Sequence, residues 1–348
     1  MVNLFIELMQ VSLCTHDMLS KVPSVGDWTA IYQEAQRQCV SSILLDGIER
    51  LPIEQRPSQQ LLLQWICIVQ MNEKNYSLQC ERAKELTIRF KEKGYNSCVL
   101  KGVGLAQLYP IPSQRQGGDI DLWVDCERKE LMKWLQSQCA MEHILWHHVE
   151  AKFFNDVPTE IHYHPCWLYN PFYNNRLQKW FEDQKSGQMQ MDKNVRFAYP
   201  SVQFNAVYAL VHLYHHLIEE GVGIRHIIDY YYILKTLSEK DRGTALNLLN
   251  RFGMKRLASS IMWILVYVCG LSKEYLLCES NEKEGRFLWD EIMRGGNFGH
   301  YRNDSRRRNS VGRMMALLPH YPKEVLWVVP WKLWHKCWRM KNARISRI

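Results

Sequence analysis

Asp119 and Asp121 stand one residue apart in Asp119-Ile120-Asp121-Leu122-Trp123-Val124-Asp125, where acidic and apolar side chains alternate. An alternation of period two reads as a strand with one face in a core, so both carboxylates project from the same face. Downstream, Glu160-Ile161-His162 repeats the pattern and puts Glu160 and His162 on one face of a second strand. Three carboxylates gathered in this way repel one another unless a divalent cation neutralises them. Mg²⁺ prefers carboxylate and phosphate oxygens, and two such ions ~3.5 to 4 Å apart stabilise the attacking and leaving oxygens of an in-line displacement. The chemistry these residue types suit is therefore phosphoryl or nucleotidyl transfer.

The elements that must hold the acids follow from periodicity. From Asn3 to about Lys93 apolar residues recur at helical spacing, as in Trp28, Ile31, Tyr32 and Ala35 and again in Leu61, Leu62, Trp65, Ile66 and Val69, which predicts a helical N-terminal region over 1–93. Met1 to Glu7 reads as the first helix, because it lacks a basic leader and meets Glu7 too soon for a secretory signal. At Tyr95 the pattern changes. Ser97-Cys98-Val99-Leu100 is a short apolar run ending in Lys101-Gly102-Val103-Gly104, a strand turning into a helix with glycines at the turn. Leu105 to Tyr109 is the predicted helix, stopped by Pro110 and Pro112. Glu127 to Cys139 returns to helical periodicity, and Trp146 to His164 reads as a hairpin with Asn155-Asp156 at its turn. These segments define a predicted α/β core over 94–199.

From Pro200 the chain is predicted to be helical to about Pro330, beginning with the stripe Phe204, Val207, Tyr208, Val211 and Leu217. A Gly221-Val222-Gly223 break then precedes a helix from Arg225 through Leu237. The uncharged run between Arg256 and Lys273 is shorter than the ~18 to 20 residues of a spanning helix and reads as a buried core helix. Residues 200–348 thus form a helical C-terminal domain with a basic, Trp-rich tail.

Several local motifs together resemble a known family. Leu100-Lys101-Gly102, Tyr109-Pro110-x-Pro112, Arg115-x-x-x-Asp119-Ile120-Asp121-Leu122-Trp123-Val124 and Glu160-Ile161-His162 resemble the uncharacterised bacterial nucleotidyltransferase family of the DNA-polymerase-beta-like superfamily. Gly223-Ile224-Arg225-His226-Ile227-x-Asp229 and Gly295-Gly296-Asn297-Phe298-Gly299 are similar to its later motifs, so the resemblance runs roughly from Trp28 to His300. It implies an α+β fold, in which a small mixed β-sheet nucleotidyltransferase core of the polymerase-beta-like kind is embedded in mostly α-helical N- and C-terminal regions.

Carried over by position, the resemblance implies that Asp119 and Asp121 coordinate metal and that Glu160 supplies the third carboxylate, as metal ligand or as base for the incoming hydroxyl. Gly102 would let the turn approach the triphosphate, although Val103 follows it where the superfamily has Gly or Ser. Lys101, Arg115 and Arg225 are the implied nucleotide-binding cations. The implied reaction is attack of an acceptor hydroxyl on the α-phosphate of a nucleoside triphosphate with release of pyrophosphate, supported by two Mg²⁺ ions for which Mn²⁺ can substitute. The acceptor is a small hydroxyl compound, or RNA or protein. Two other readings stay open, a toxin-like or regulatory transferase that modifies RNA or protein, and a non-catalytic nucleotide-binding or scaffold protein.

Composition narrows the setting. With 47% hydrophobic and only 23% charged residues, the 348-residue chain is of the core-forming kind, and low-complexity and disordered classes are excluded. Its eleven cysteines are odd in number and lack paired short spacings, so reduced thiols and a cytoplasmic location are expected. The +8 charge is concentrated, because residues 281–348 carry 15 Lys/Arg against 6 Asp/Glu. Such a segment is either a solvated face or suits a polyanionic partner or an anionic membrane surface, with peripheral membrane contact as the alternative location. Trp327, Trp331, Trp334 and Trp338 share one helix face with Lys332, Lys336 and Arg339 around it. That face can pack on the domain, lie at an anionic membrane, or bind nucleic acid with help from Arg306-Arg307-Arg308.

Histidine is abundant, but Cys126-x12-Cys139-x3-His143-x3-His147 lacks the close Cys pair of a zinc finger, and His212, His215 and His216 lack the His-Glu-x-x-His order of a zinc hydrolase. These are expected to be core or surface histidines. His162 is kept apart as a contact to a metal ligand or to substrate.

Overall fold

The computed structural model describes residues 2–302 and 310–342. Five strands, β1 (Asn96–Val99), β2 (Ile120–Asp125), β3 (Met141–Ile144), β4 (His148–Ala151) and β5 (Thr159–His162), form one mixed sheet in the order β1-β2-β5-β4-β3. Only the β2–β5 pair is parallel. The strands predicted on either side of the Lys101-Gly102 turn are present, and the predicted hairpin is β4 with β5. β3 is an addition that the sequence pattern does not show, since its Glu142 and His143 are both exposed and adjacent, without the alternation that marks a strand.

Four helices precede the sheet: α1 (Val2–Ser12), α2 (Val25–Arg37), α3 (Ser41–Arg50) and α4 (Gln59–Glu92). Between strands lie α5 (Gly102–Ala106) and α6 (Arg128–Gln138). After the sheet come α7 (Pro171–Gln188), α8 (Val202–Glu219), α9 (Ile224–Thr236), α10 (Glu239–Arg251), α11 (Lys255–Tyr267), α12 (Glu282–Gly295), α13 (Ser310–Leu317) and α14 (Pro322–Asn342). The arrangement is α+β. Serines start many of these helices: Ser24, Ser58, Ser201 and Ser238 each accept a hydrogen bond from a backbone N–H of the first turn.

Helix α5 begins three residues before the Leu105 start that the pattern predicts. Gly102 takes φ +51°, which turns the chain into helix at once. Gly104 lets that helix lie against the end of β1, because a Cβ there would collide with the carbonyl oxygen of Val99.

Two apolar cores result. One lies under the sheet, where Ala83, Leu86 and Phe90 of α4 and Leu131 and Leu135 of α6 meet Val99, Leu122, Val124 and Ile161. The other joins the N-terminal helices to α8, α9, α11 and α12, and Trp65 at the opposite end of α4 belongs to it. Helix α4, 34 residues long, therefore spans both cores. Helix α11 is buried through Leu257, Ile261, Ile264 and Leu265, as the uncharged run predicts. Among the described residues no helix is long and apolar enough to cross a membrane.

Helix α14 runs through Pro330 to Asn342, beyond the general helical pattern that ends near Pro330 but as the spacing of Trp327, Trp331, Trp334 and Trp338 predicts. Pro330 removes one helical hydrogen bond, from the carbonyl of residue 326, and both Pro330 and Leu326 are solvent-exposed, so water can satisfy the freed carbonyl. The Trp face packs on the domain. Trp331 stacks on Trp167 with centroids 5.1 Å apart, Trp334 meets the edge of Trp146, and Trp338 receives Arg128 over its ring at 4.7 Å. Arg306-Arg307-Arg308 lie outside the described residues.

Candidate active site

Register across the sheet aligns the acids. On parallel strands β2 and β5, Asp121 pairs with Glu160 and Trp123 with His162. On antiparallel β5 and β4, Glu160 pairs with Glu150 and His162 with His148. The sheet thus carries a transverse row Asp121–Glu160–Glu150, and beside it the row Trp123–His162–His148. Asp119, half-buried, sits immediately before β2.

Apart from Trp123, which is buried in the core, the residues of these rows form one wall of a cavity of about 450 Å³ between the sheet and helices α8 and α9. All seven residues singled out from sequence line it: Lys101, Gly102, Arg115, Asp119, Asp121, Glu160 and Arg225.

Asp121 is 1% exposed. Its Oδ1 lies 2.9 Å from Lys101 Nζ and 3.0 Å from His162 Nε2, which is also 3.2 Å from Glu160 Oε2. Burial alone would lower the pKa of Lys101, but the charges of Asp121, Asp119 and Glu160 outweigh it and hold the ammonium protonated, above its usual range. For His162 burial likewise opposes the charge, and hydrogen bonds to Asp121 and Glu160 overcome it, raising the imidazole to about 9. Burial works to raise Glu160, yet the hydrogen bond from His162 and the charge of Lys101 bring it below the ordinary carboxylate value. Two protonated groups, Lys101 and His162, hold the anionic row together.

The same residues fit a divalent cation. Asp121, Glu160 and His162 each bring a ligand atom within 4.8 Å of the others. Asp121 Oδ2 is buried with no hydrogen-bond partner among the described residues, a costly state for a carboxylate that a cation would relieve.

The cations divide into two kinds. Arg115 is 6% exposed and pairs with Asp229 through Nε–Oδ1 at 2.7 Å and Nη2–Oδ2 at 2.9 Å, while its Nη1 donates to the Gly102 carbonyl at 3.2 Å. Arg225 donates from Nη1 to the Gln116 carbonyl at 2.7 Å and lies over the Phe298 ring at 5.3 Å. Its Nε is buried without a partner, and no carboxylate of the described residues is within ion-pair distance. Burial, then the nearby charge of Arg115, pushes Arg225 below its usual value. A guanidinium left in this state suits an incoming anion.

The glycine motifs of the helical half position Arg225. Gly221, at φ +135°, touches the backbone of Gly299, and Gly223 packs on Asn297, so the turn before α9 and the turn after α12 interlock. Phe298 adopts φ +53° there and reaches the cavity.

A family model described as an uncharacterised nucleotidyltransferase matches residues 24–270. The chain belongs to this family. No curated protein and no solved structure matches it. The protein is accordingly a nucleotidyltransferase, an enzyme that transfers phosphorus-containing groups.

Other residues of this nucleotidyltransferase's cavity escape a motif reading. Glu150 and His148 face the acids because β4 pairs with β5, a relation that the His148-Val149-Glu150 alternation and the predicted hairpin together contain. Tyr208 and Asn205, on the apolar stripe of α8, present a hydroxyl and an Oδ1 that are buried without partners at the cavity. Nothing in the stripe distinguishes them from core residues.

Proposed function

We propose that the cavity catalyses divalent-metal-dependent transfer of a nucleoside monophosphate from a nucleoside triphosphate to an acceptor hydroxyl, with release of pyrophosphate. The observation that carries this reading is the register of Asp121 opposite Glu160, with Asp119 two residues before, at the wall of a cavity whose opposite side holds the unpaired Arg225. Family membership supports it.

Asp119, Asp121 and Glu160 are the proposed ligands of two Mg²⁺ ions, for which Mn²⁺ can substitute, with His162 Nε2 bridging the latter two acids when no ion is bound. Bound there, divalent ions would neutralise the α-phosphate oxygens and the developing charge on the leaving pyrophosphate. Lys101, beside Asp121, is placed to exchange its carboxylate contact for a phosphate oxygen. Gly102 offers a turn without a side chain for close approach of the triphosphate. Arg225 binds the outer phosphates, and Arg115, its donors occupied by Asp229 and Gly102, positions the turn. Glu150, facing Glu160, is placed to accept the acceptor's proton.

The test is pyrophosphate release and nucleotide-induced thermal stabilisation, measured for ATP, GTP, CTP and UTP with and without Mg²⁺. One nucleotide should stabilise the wild type only with the ion, and Asp119→Asn with Asp121→Asn should abolish both signals while leaving the far-ultraviolet dichroism intact. Unchanged metal-dependent turnover in that variant refutes the assignment.

A further inference from the structure

Beyond the acidic row the cavity wall holds three buried imidazoles, those of His147, His148 and His162, at 7%, 6% and 2% exposure. They come from the residue before β4, from β4 itself and from its cross-strand partner on β5. His147 Nε2 and His148 Nδ1 are 2.7 Å apart, and ligand atoms of all three rings lie within 4.8 Å of one another. Ring centroids are 4.1 Å apart for the first pair, 4.9 Å for His148 with His162 and 5.5 Å for His147 with His162.

A hydrogen-bonded pair does not account for this cluster. The bond between His147 and His148 uses one nitrogen of each ring, and His147 Nδ1 and His148 Nε2 remain buried with no partner among the described residues. Three imidazoles whose nitrogens converge at the edge of a solvent-connected cavity are instead what a borderline metal ion requires. Tetrahedral bonds of about 2.1 Å place ligand atoms about 3.4 Å apart, so His147 Nε2 and His148 Nδ1, now 2.7 Å apart, would open by less than an ångström to share an ion. His148 Nδ1 is 3.4 Å from Glu160 Oε2, so that carboxylate stands ready as a further ligand.

We propose that His147, His148 and His162 form an imidazole metal position for a Zn²⁺-class ion, adjoining the carboxylate row. Mg²⁺ is a poor occupant, since it takes oxygen ligands in octahedral geometry and sheds water reluctantly. The position shares His162 Nε2 with Asp121 and Glu160, so an ion held by the imidazoles withdraws His162 from the acids. Because Glu160 and His162 serve both positions, an ion at the imidazoles would compete with ions at the carboxylates, but its binding is read without turnover, so failure of one proposal is distinguishable from failure of the other.

The test uses the full chain stripped with a chelator and reloaded with Zn²⁺, or with Co²⁺ as a visible probe. About one zinc per chain is expected, with imidazole scattering in its X-ray absorption spectrum and tetrahedral absorption bands for the cobalt form. His147→Gln with His148→Gln should weaken zinc binding by more than ~100-fold, beyond the 10- to 100-fold that loss of a mere supporting contact costs. Asp119→Asn with Asp121→Asn should retain binding to within about tenfold. Absence of zinc, a shell of oxygen ligands only, or equal binding by the histidine variant each overturns the proposal. None of these touches nucleotidyl transfer, which the aspartate variant tests by turnover. If the histidine variant does not fold, the absorption spectrum of the wild type decides alone.

Discussion

Arg115 and Asp229, 114 residues apart in sequence, meet in a fork-to-fork ion pair with both side chains almost fully buried. Tyr109 adds a third contact by donating its hydroxyl to Asp229 Oδ1 at 2.6 Å. The pair ties the segment before β2 to α9, and through Arg115 Nη1 it also fixes the Gly102 turn.

Removing one partner of a buried pair strands the other's charge, which typically costs about 3 to 5 kcal/mol. Asp229→Ala should lose stability in that range in urea titrations. Replacing both partners, as Arg115→Met with Asp229→Leu, should recover much of the loss. A single substitution that shifts stability by under ~1 kcal/mol shows that the pair does not hold the fold.

His162 predicts a pH dependence of the metal-free protein. Its folded pKa of about 9 exceeds the unfolded value of about 6.5, so its contribution is fully present below about 6.5 and is lost as pH rises through about 9. The difference corresponds to roughly 3 kcal/mol. Urea titrations in chelator at pH 6 and pH 9.5 should show this fall, and His162→Gln should flatten it. A divalent ion competes with the same proton, so Mg²⁺ binding should strengthen towards high pH and release protons, which calorimetry in buffers of differing ionisation heat can count.

The acids were legible in the sequence because strand periodicity is local. Asp119, Asp121 and Glu160 needed only alternation, and the β4–β5 hairpin needed only its turn residues. What escaped was non-local. Arg115 reads as a phosphate contact until Asp229, 114 residues on, is seen to occupy its fork. His147 and His148 become neighbours of His162 only through strand pairing, and His212, His215, His216 and His226 reach the same cavity from α8 and α9. Burial, which holds His148 at about 2 and His215 at about 3, is likewise a property of the fold and not of spacing. Helix α14 continues through Pro330, as the spacing of Trp327, Trp331, Trp334 and Trp338 implies, because the cost of the proline depends on which carbonyl it frees and whether water reaches it.

Gly104 should tolerate no side chain. A Cβ there meets the Val99 carbonyl oxygen and approaches Tyr199 Cβ at 3.2 Å, with backbone rather than a flexible side-chain tip in the way. Gly104→Ala should therefore push α5 off β1, at a cost of about 1 to 3 kcal/mol. Because the same five-residue helix begins at Gly102, nucleotide affinity should fall with stability, whereas Gly187→Ala, in open space within α7, should leave affinity unchanged and raise stability by up to about 1 kcal/mol. Parallel denaturation and thermal-shift titrations of the two variants check this.

Glu324 at the start of α14 supplies a second titration, with the opposite kind of group. Its carboxylate is 1% exposed, and Oε2 accepts the backbone N–H of Tyr169 at 2.7 Å and of Asn170 at 3.2 Å while Oε1 has no partner. Burial raises its pKa to about 7 despite those two donors. A carboxyl that binds its proton more tightly when folded favours the folded state at low pH. Stability is therefore lost as pH rises from the unfolded value near 4.5 through about 7, and the loss is complete above that. Glu324→Gln keeps an oxygen for the two N–H groups and carries no charge to bury. It should match the wild type near pH 4.5 and exceed it at pH 8 by up to ~3 kcal/mol, which is 1.36 kcal/mol for each unit of the shift. Melting curves of the two proteins at pH 5 and pH 8 decide the matter, and a variant less stable than wild type at pH 8 shows that the ionised carboxylate is needed to dock α14.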